Sequence, residues 1–379
     1  MTRLSKKDME KFMQPSTQQR PNCRIMPWIQ LSLLLLMVAI SVTIALTGDG
    51  FMPDATESGN QDFVLYEAIV GRIHRGESYY QAAGTELRTP RGSQQLPYPT
   101  RSVFNWRQPI LAWLLGQLPS LQVAHYLLLL TVITTLWVWR PLLQSASGKW
   151  RGIGQWLLLA CGLLWAWPGW LPQAVVVHEI WGGTFIVLAL GLQWRGWFMA
   201  SWLVALTALG IRELVLPFYL MMLVWAWHDG KRRSVWFGLM GLCIWIAFYC
   251  VHWQQVQSLI LPSDRAQERS WLQWGGWPFV LKTAHMHPLF LGWLPTAPWI
   301  VAALLPLSLF GFLLGDGPRS RDLLLLVACY LLMFCCVGQS FNYLWGLLYT
   351  PLWPLGLCLL PRAVVQRLVA TEKAHAITT

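Results

Sequence analysis

Charged residues are scarce in this chain. Asp, Glu, Lys and Arg together make up 12% of its 379 residues, whereas hydrophobic residues make up 55%. Long apolar runs recur at spacings that the core of a water-soluble domain does not need, and this excludes an ordinary soluble fold. The sequence therefore predicts an all-α polytopic membrane protein whose first partner is the lipid bilayer.

The chain also lacks the sequence features of three other classes of protein. Its eight cysteines form no Cys-x-x-Cys motif and no pair within a loop, so neither a disulfide framework nor a zinc site is indicated. No nucleic-acid motif accompanies the formal net charge of +11. Because basic residues collect in the cytoplasmic loops of membrane proteins, this charge predicts topology and no nucleic-acid partner.

About ten apolar segments are candidate membrane spans. The first follows a basic tail and lacks a small-residue cleavage site, so it is predicted to be an uncleaved anchor. The segments are 26–47, 121–139, 152–168, 180–194, 197–211, 214–228, 235–253, 296–315, 322–338 and 343–361. The expected organisation is one transmembrane domain over 26–361 between cytoplasmic tails at 1–25 and 362–379, in a bacterial inner (plasma) membrane.

The basic residues test which loops between these spans lie on the cytoplasmic side. If the N-terminus is cytoplasmic, every short loop that carries Lys or Arg falls on the cytoplasmic side, as the positive-inside rule expects. The apolar tract between Arg195 and Lys231 starts and ends in such loops, so the chain must turn back within it. Arg212 and Glu213 mark the only polar place to turn, which predicts an outer hairpin tip there. A salt bridge inside one long helix is the alternative.

Most of the outer-side chain lies in two predicted loops, 48–107 and 254–295. Within the first loop, apolar residues recur at helical spacing over 62–74, which predicts a helix lying on the membrane surface. A second short apolar stretch, 108–118, predicts another surface helix. Asp62 stands near the start of the first helix, where its simplest role is that of a cap.

Ionisable and polar residues from several outer segments are candidates for one site. Three predicted outer loops contribute Asp62, then His178 and Glu179, then Arg212 and Glu213. Carboxylates, an imidazole and arginines beside a bilayer suit general-base chemistry on a lipid-linked anionic substrate. A divalent cation, Mg²⁺ or Mn²⁺, between the acids is a further expectation. Solvated arginines and an interfacial His-Glu pair are the simpler interpretations.

The order and sidedness of these residues resemble the GT-C superfamily of integral-membrane glycosyltransferases, in particular its uncharacterised bacterial members. Asp62 soon after the first span, and Glu179 between the third and fourth, match the two acidic positions of that family. The phrases Gly76-Glu-Ser-Tyr-Tyr80 and Arg212-Glu-Leu-Val-Leu-Pro217 are similar to its patterns, as are the strings around Tyr98 and Asn342. The chain departs from the family in lacking a tight acidic pair near Asp62 and a soluble domain after the last span.

The resemblance implies a GT-C-like fold and a function. A sugar would move, with inversion, from a polyprenyl-phosphate donor to an extracytoplasmic acceptor, which is a lipid, a glycan or a protein. Asp62 would be the general base, and Glu179 would orient the acceptor or hold a cation with His178. Arg212 would bind the donor phosphate and Glu213 would fix that arginine. Further implied substrate-binding residues are Tyr98, Trp106, Arg107, Asn342 and Tyr343.

Other classes of membrane protein remain open at this stage. A transporter or flippase of a lipid-linked or amphiphilic substrate is the main alternative, and it requires ionisable groups near the bilayer midplane and internal repeats. A membrane transpeptidase or protease requires an outer-face nucleophile beside a base. A structural membrane protein requires no polar pairs at short outer turns.

Overall fold

The computed structural model describes residues 27–47, 59–90, 97–147, 149–167, 172–267, 270–293, 297–315, 317–339 and 341–360. In this part of the chain every regular element is a helix, and a single antiparallel bridge joins Leu272 to Val337. The predicted all-α class is confirmed. The tails predicted at 1–25 and 362–379 lie outside the described residues.

The α-helices are numbered in chain order. They are α1 (Pro27–Thr47), α2 (Gly59–His74), α3 (Tyr79–Arg88), α4 (Val103–Trp106), α5 (Pro109–Gln117), α6 (Leu121–Ser147), α7 (Lys149–Gly162), α8 (His178–Trp194), α9 (Phe198–Ile211), α10 (Leu216–His228), α11 (Arg232–Leu259), α12 (Gly276–Ala284), α13 (Pro288–Trp293), α14 (Pro298–Leu314) and α15 (Pro318–Cys336). Shorter 3₁₀ helices cover Leu164–Ala166, Pro172–Val176, Glu213–Val215, Tyr343–Leu348 and Trp353–Cys358.

Three of these helices are long and apolar enough to cross a membrane. The qualifying stretches are Ile29–Thr47 in α1, Leu121–Leu143 in α6 and Arg232–Leu259 in α11. Four shorter apolar helices accompany them, over Gly152–Gly162, Phe198–Ile211, Glu213–His228 and Pro298–Leu314. Only 17% of the apolar window of α1 is buried inside the protein. A large exposed apolar surface of this kind needs a lipid or protein partner, and a bilayer supplies one.

The first predicted loop is helical, but its apolar stripe faces the protein. Helices α2 and α5 form where the periodicity indicated helices at 62–74 and 108–118. Tyr66, Ile69 and Ile73 are buried, because α2 packs against α3 and α5. The apolar stripe is therefore covered by protein and not by lipid, and the location of this helix at the membrane surface stays a prediction. The periodicity specifies an apolar face and does not specify what covers it.

The chain turns back at Arg212, as predicted, but the turn is not an exposed tip. Helix α9 ends at Ile211, Arg212 is extended (φ −144°, ψ 116°), and Pro217 lies in the first turn of α10. Proline is favoured at that position because its missing N–H is not needed there. The relative exposure of Arg212 is 0%. A guanidinium that is fully buried must find its partners inside the protein.

The last predicted span, 343–361, is not a regular α-helix. Over the described residues it consists of two 3₁₀ helices, because Pro351 and Pro354 interrupt the hydrogen-bonding pattern that an α-helix needs. The segment is buried, and it contacts α8, α12 and α14. Gly183 allows α8 to approach the segment closely, since a Cβ atom there would overlap the carbonyl oxygen of Leu347. The segment thereby reaches the interior beside Arg212.

Candidate functional site

The side chain of Arg212 is the centre of a buried ion cluster. Its Nε atom lies 2.9 Å from Oε1 of Glu179, an ion pair without hydrogen-bond alignment. Its Nη1 atom donates to Oε1 of Glu213. Among the residues that the structure describes, Nη2 of Arg212 has no hydrogen-bond acceptor. One edge of a buried guanidinium is thus unsatisfied, which is costly unless a ligand completes it.

An aromatic stack leads from the surface to this arginine. The guanidinium carbon of Arg212 lies 5.7 Å from the ring centre of Trp345, a cation–π contact. Trp345 stacks on Trp271 at 5.9 Å, and Trp271 meets Phe104, which is 43% exposed, edge to face at 6.4 Å. Flat aromatic rings are also the groups against which sugar rings pack. Trp345 belongs to the 3₁₀ helix Tyr343–Leu348, so this helix brings an aromatic ring to the cluster.

Gln108 holds Glu213 in place. Its amide nitrogen donates to the carbonyl oxygen of Leu209 at 3.0 Å and, at 3.4 Å, to Oε2 of Glu213. Its amide oxygen accepts a hydrogen bond of 3.0 Å from Nε1 of Trp245. The indole N–H can only donate, so this bond determines which end of the amide faces the glutamate. Glu213 is therefore held between Gln108 and Arg212.

Asp62 lies in the first turn of α2, inside the helix and not at its cap. The hydroxyl of Tyr98 donates a 2.7 Å hydrogen bond to its Oδ1 atom. Burial raises the pKa of Asp62 above its usual range, while the charge of Arg107 and the bond from Tyr98 oppose that rise. The charges of Glu179 and Arg212 also act on this carboxyl. Asp62 is therefore electrostatically part of the same cluster.

Arg107 and His178 meet at Tyr66 of α2. The Nε atom of Arg107 donates to the hydroxyl of Tyr66 at 2.9 Å. The imidazole of His178, the first residue of α8, packs edge to face on the same ring at 5.0 Å. Neither ring nitrogen of His178 has a hydrogen-bond partner within the described part of the chain, although the side chain is buried. The two ring nitrogens of His178 are thus buried beside Tyr66 without hydrogen-bond partners among the described residues.

The backbone of Arg107 is strained. Its φ of 53° with a ψ of 165° is the only positive φ at a non-glycine position among the described residues. This region of φ and ψ is nearly restricted to glycine, and it costs other residues about 1–3 kcal/mol. Strain of this kind persists where the surrounding structure imposes it, often at functional sites. Here it directs the guanidinium of Arg107 back toward Tyr66.

The cluster carries an imbalance of charge. Three carboxylates, of Asp62, Glu179 and Glu213, share two guanidinium groups, of Arg107 and Arg212. With every carboxylate ionised, one negative charge is uncompensated. Asp62, which is partly buried, is the member whose pKa is raised, so it is the one best able to take up a proton.

The structure brings together seven of the ten residues that the sequence indicated: Asp62, Tyr98, Arg107, His178, Glu179, Arg212 and Glu213. The other three have local roles in the described contacts. Trp106 is buried, and its Nε1 atom donates to the carbonyl of Thr100 at 2.8 Å. Asn342 caps its own turn, accepting from the backbone N–H of Gln339, and the ring of Tyr343 faces Lys282.

Two residues that position the cluster were not among the predicted site residues. Tyr66 was read as part of the apolar stripe, since its ring is apolar and its spacing helical. Gln108 had a weak signal that could have identified it, because it is a polar residue between Arg107 and Pro109 at the start of an apolar helix. Such a residue needs a hydrogen-bond partner once it is buried.

The two predicted outer loops are joined beside the cluster. Nε and Nη2 of Arg88 each donate to a carboxylate oxygen of Asp264 at 2.7 Å. The bonds from Arg88 hold the pKa of Asp264 at about 2, well below its usual range. The backbone N–H of Arg101 also donates to the carbonyl of Arg265 at 3.2 Å. The strip that contains Tyr98 and Arg107 is therefore anchored to the chain that follows α11.

A divalent cation at Glu179 and His178 stays a prediction that the described contacts do not support. Mg²⁺ or Mn²⁺ needs several oxygen or nitrogen ligands directed at one point. Within the described residues, no three or more His, Cys, Asp or Glu side chains are grouped in this way. Glu179 instead faces Arg212, and His178 packs on Tyr66. The unsatisfied donor of Arg212 suits an anion.

Comparison of the chain with protein-family models, with curated proteins and with solved structures finds no match. The function is therefore inferred from the residues of the cluster and from the chemistry that their arrangement allows.

Proposed function

We propose that this protein is an integral-membrane glycosyltransferase that moves a sugar from a polyprenyl-phosphate donor to an extracytoplasmic acceptor. The observation that carries the proposal is the unsatisfied Nη2 donor of the fully buried Arg212, in electrostatic reach of the carboxyl of Asp62. A guanidinium edge is well suited to a phosphate, because its parallel N–H groups match two phosphate oxygens. A partly buried carboxyl with a raised pKa is well suited to remove a proton.

In the proposed reaction, Asp62 accepts the proton of the acceptor hydroxyl while that oxygen attacks the anomeric carbon of the sugar. The bond between this carbon and the phosphate oxygen breaks on the opposite face, so the configuration inverts. The polyprenyl phosphate leaves with the electron pair of the broken bond. Arg212 donates a hydrogen bond from Nη2 to the departing phosphate, where negative charge develops. Glu179 and Glu213 hold the guanidinium in that orientation.

The uncompensated charge of the cluster fits this sequence of events. Before reaction, the three carboxylates exceed the two guanidinium groups by one charge. Transfer of the proton to Asp62 removes that excess as the phosphate gains charge. The net negative charge of the cluster that opposes the leaving group is therefore smallest at the step in which the leaving group departs.

We further propose that the ten apolar segments cross a bacterial inner membrane with both ends cytoplasmic, which places the cluster near the outer side. The three long apolar helices and the distribution of basic residues support this topology. Single cysteines at the exposed positions Glu67 and Asp229, in a cysteine-free background, test it. We expect an impermeant thiol reagent to label position 67 from the outside only and position 229 from the inside only. The reverse pattern would overturn the topology.

A transporter or flippase of a lipid-linked substrate is the second candidate. It is favoured by the same buried Arg212, because charged groups inside helical bundles also mark the binding sites of transporters. The two functions differ in their products. A flippase moves the intact lipid-linked sugar across the bilayer, whereas a glycosyltransferase releases polyprenyl phosphate.

The deciding experiment uses the purified protein in lipid vesicles with polyprenyl-phosphate-linked sugars and a panel of hydroxyl acceptors. We expect mass spectrometry to show polyprenyl phosphate and a glycosylated acceptor. The Asp62→Asn variant should lose roughly a hundredfold or more in rate, since it keeps the shape of the side chain but cannot accept the proton.

Glu67→Gln is the matched control, because Glu67 lies on the same helix and is exposed. It should retain the activity of the wild-type protein. Equal rates for the wild type and Asp62→Asn would remove the general base and with it the proposal. Movement of the intact donor without release of polyprenyl phosphate would establish the flippase instead.

A further inference from the structure

A group of aromatic rings surrounds Arg195 at the end of α8, away from the ion cluster. Its guanidinium carbon lies 5.1 Å from the ring centre of Trp137 in α6 and 5.0 Å from that of Trp197. The two rings are 6.1 Å apart and inclined by 44°, so the cation faces the opening between them. Gly196, with a φ of +79°, ends α8 and returns Trp197 to this position. We call these three side chains the Arg195 pocket.

In the part of the chain that the structure describes, Arg195 has no acidic partner. Within the described residues, no carboxylate lies within ion-pair distance of its guanidinium. Asp229, at the end of α10, is paired with Lys231 at 2.6 Å, and Lys231 faces the ring of Phe198 at 4.6 Å. Aromatic faces attract a cation but leave its N–H edges open. Those edges remain available to an anionic group.

The surface next to the Arg195 pocket is apolar and exposed. On α6, Leu130 and Ile133 are 59% and 54% exposed and share a face with Trp137. On α9, Met199 and Leu203 are 59% and 55% exposed, one helical turn apart. Since α6 runs toward the pocket and α9 runs away from it, both strips extend from Arg195 along the protein in the same direction.

We propose that the Arg195 pocket binds the phosphate of an anionic phospholipid, whose acyl chains lie along these two strips. The guanidinium supplies charge and two N–H donors, the tryptophans belong at the level of the headgroups, and the strips contact the chains. A free phosphate ion uses only the first of these features. Among anionic phospholipids, phosphatidylglycerol is a suitable probe because its single charge resides on the phosphate.

The test compares the protein in detergent with phosphatidylglycerol and with phosphatidylcholine by native mass spectrometry. We expect the wild-type protein to retain phosphatidylglycerol in preference to phosphatidylcholine. The Arg195→Gln variant should retain roughly fivefold less, the effect of about one basic residue at a membrane surface. Trp137→Leu, which keeps an apolar side chain but removes the ring, should also reduce retention.

The matched control is Arg232→Gln, because Arg232 lies at the same end of the bundle, is exposed and faces no described ring. We expect it to retain phosphatidylglycerol as the wild type does. An equal loss in this control would show general attraction to positive charge and overturn the pocket. So would undiminished retention in an Arg195→Gln protein, or complete displacement of the lipid by millimolar inorganic phosphate. Thermal unfolding in zwitterionic detergent establishes that each variant is folded.

Discussion

The hydroxyl group of Tyr98 donates a 2.7 Å hydrogen bond to Oδ1 of Asp62, across 36 positions of the chain. Burial and the negative charge of Asp62 raise the pKa of Tyr98, so the phenol stays protonated and remains a donor. The bond favours the ionised form of the carboxyl and opposes the effect of burial on it. The ionisation of the proposed general base therefore depends on a residue from a different part of the first loop.

Removal of this bond should change the pH dependence of sugar transfer. In Tyr98→Phe, the pKa of Asp62 should rise further, because burial acts without the opposing hydrogen bond. A general base works only when it is deprotonated, so the acid limb of the pH–rate profile should move upward by about one unit. The rate above that limb should change much less.

Tyr126→Phe is the control for this variant, since Tyr126 is 59% exposed on α6. Its profile should coincide with that of the wild type. An acid limb that stays in place in Tyr98→Phe would mean that another group limits the rate at low pH.

Substitutions of Arg107 should reveal the strain in its backbone. Arg107→Gly and Arg107→Ala remove the same guanidinium, but only glycine adopts a φ of 53° with a ψ of 165° at little cost. We expect the glycine variant to be more stable than the alanine variant by about 1 kcal/mol. Thermal unfolding in detergent measures the difference.

Arg233 offers the opposite case, because it lies in the regular helix α11. At that position alanine should be the more stable of the two by a few tenths of a kcal/mol, because Arg233 lies in the first turn of the helix, where propensity counts less than in its interior. The same order of stability at both positions would argue against strain at Arg107.

Loss of one partner of Arg212 should destabilise the fold. In Glu179→Gln the guanidinium stays buried but loses one of its two carboxylates. Removing one partner of a buried ion pair typically costs about 3–5 kcal/mol, and Glu213 should limit the loss to the lower part of that range. The melting temperature in detergent should fall clearly, whereas Glu67→Gln should leave it unchanged. A Glu179→Gln protein as stable as the wild type would place the pair in a more polar setting than its burial indicates.

The contact between Arg88 and Asp264 should make stability depend on acidity. The pKa of Asp264 is about 2 in the folded protein, below the value of an unfolded aspartate. Its contribution is therefore fully present above about pH 4 and is lost as the pH falls toward 2. The wild type should lose more stability than Asp264→Asn between these values, by at most about 2 kcal/mol. Melting curves at both pH values test this, and parallel losses in the two proteins would contradict it.

Ionisable residues explain why much of the cluster was predictable from the sequence. In a chain with few charges, Asp62, Glu179 and Arg212 stand out, and the cost of burying them makes mutual contact the simplest arrangement. The helix break at Arg212 was predictable for a related reason, since basic loops on both sides of an apolar tract require a turn. Both inferences depend on the charge of single residues, and that charge can be read from the sequence without knowing which residues are neighbours in the fold.

The features that were not predictable depend on tertiary packing. The apolar stripe of α2 faces α3 and α5 and not lipid. An apolar helix face has the same sequence pattern whether protein or lipid covers it. Tyr343 and Trp345 are two residues apart, yet only Trp345 reaches Arg212, because a 3₁₀ helix sets their directions. Gln108 matters through Glu213 and Trp245, which come from distant helices. No local pattern contains that information.

The buried segment formed by the two 3₁₀ helices Tyr343–Leu348 and Trp353–Cys358 has a consequence for the synthesis of the protein. Residues 343–358 emerge from the ribosome after all the described helices, yet they occupy the interior between α8, α12 and α14. Until they arrive, Arg212 lacks the indole of Trp345 and Gly183 faces a gap. A nascent chain therefore keeps an open, charged interior until this segment has been synthesised. Catalysis in the proposed site cannot precede that moment, and a prematurely terminated chain presents the membrane proteases with an unfilled core.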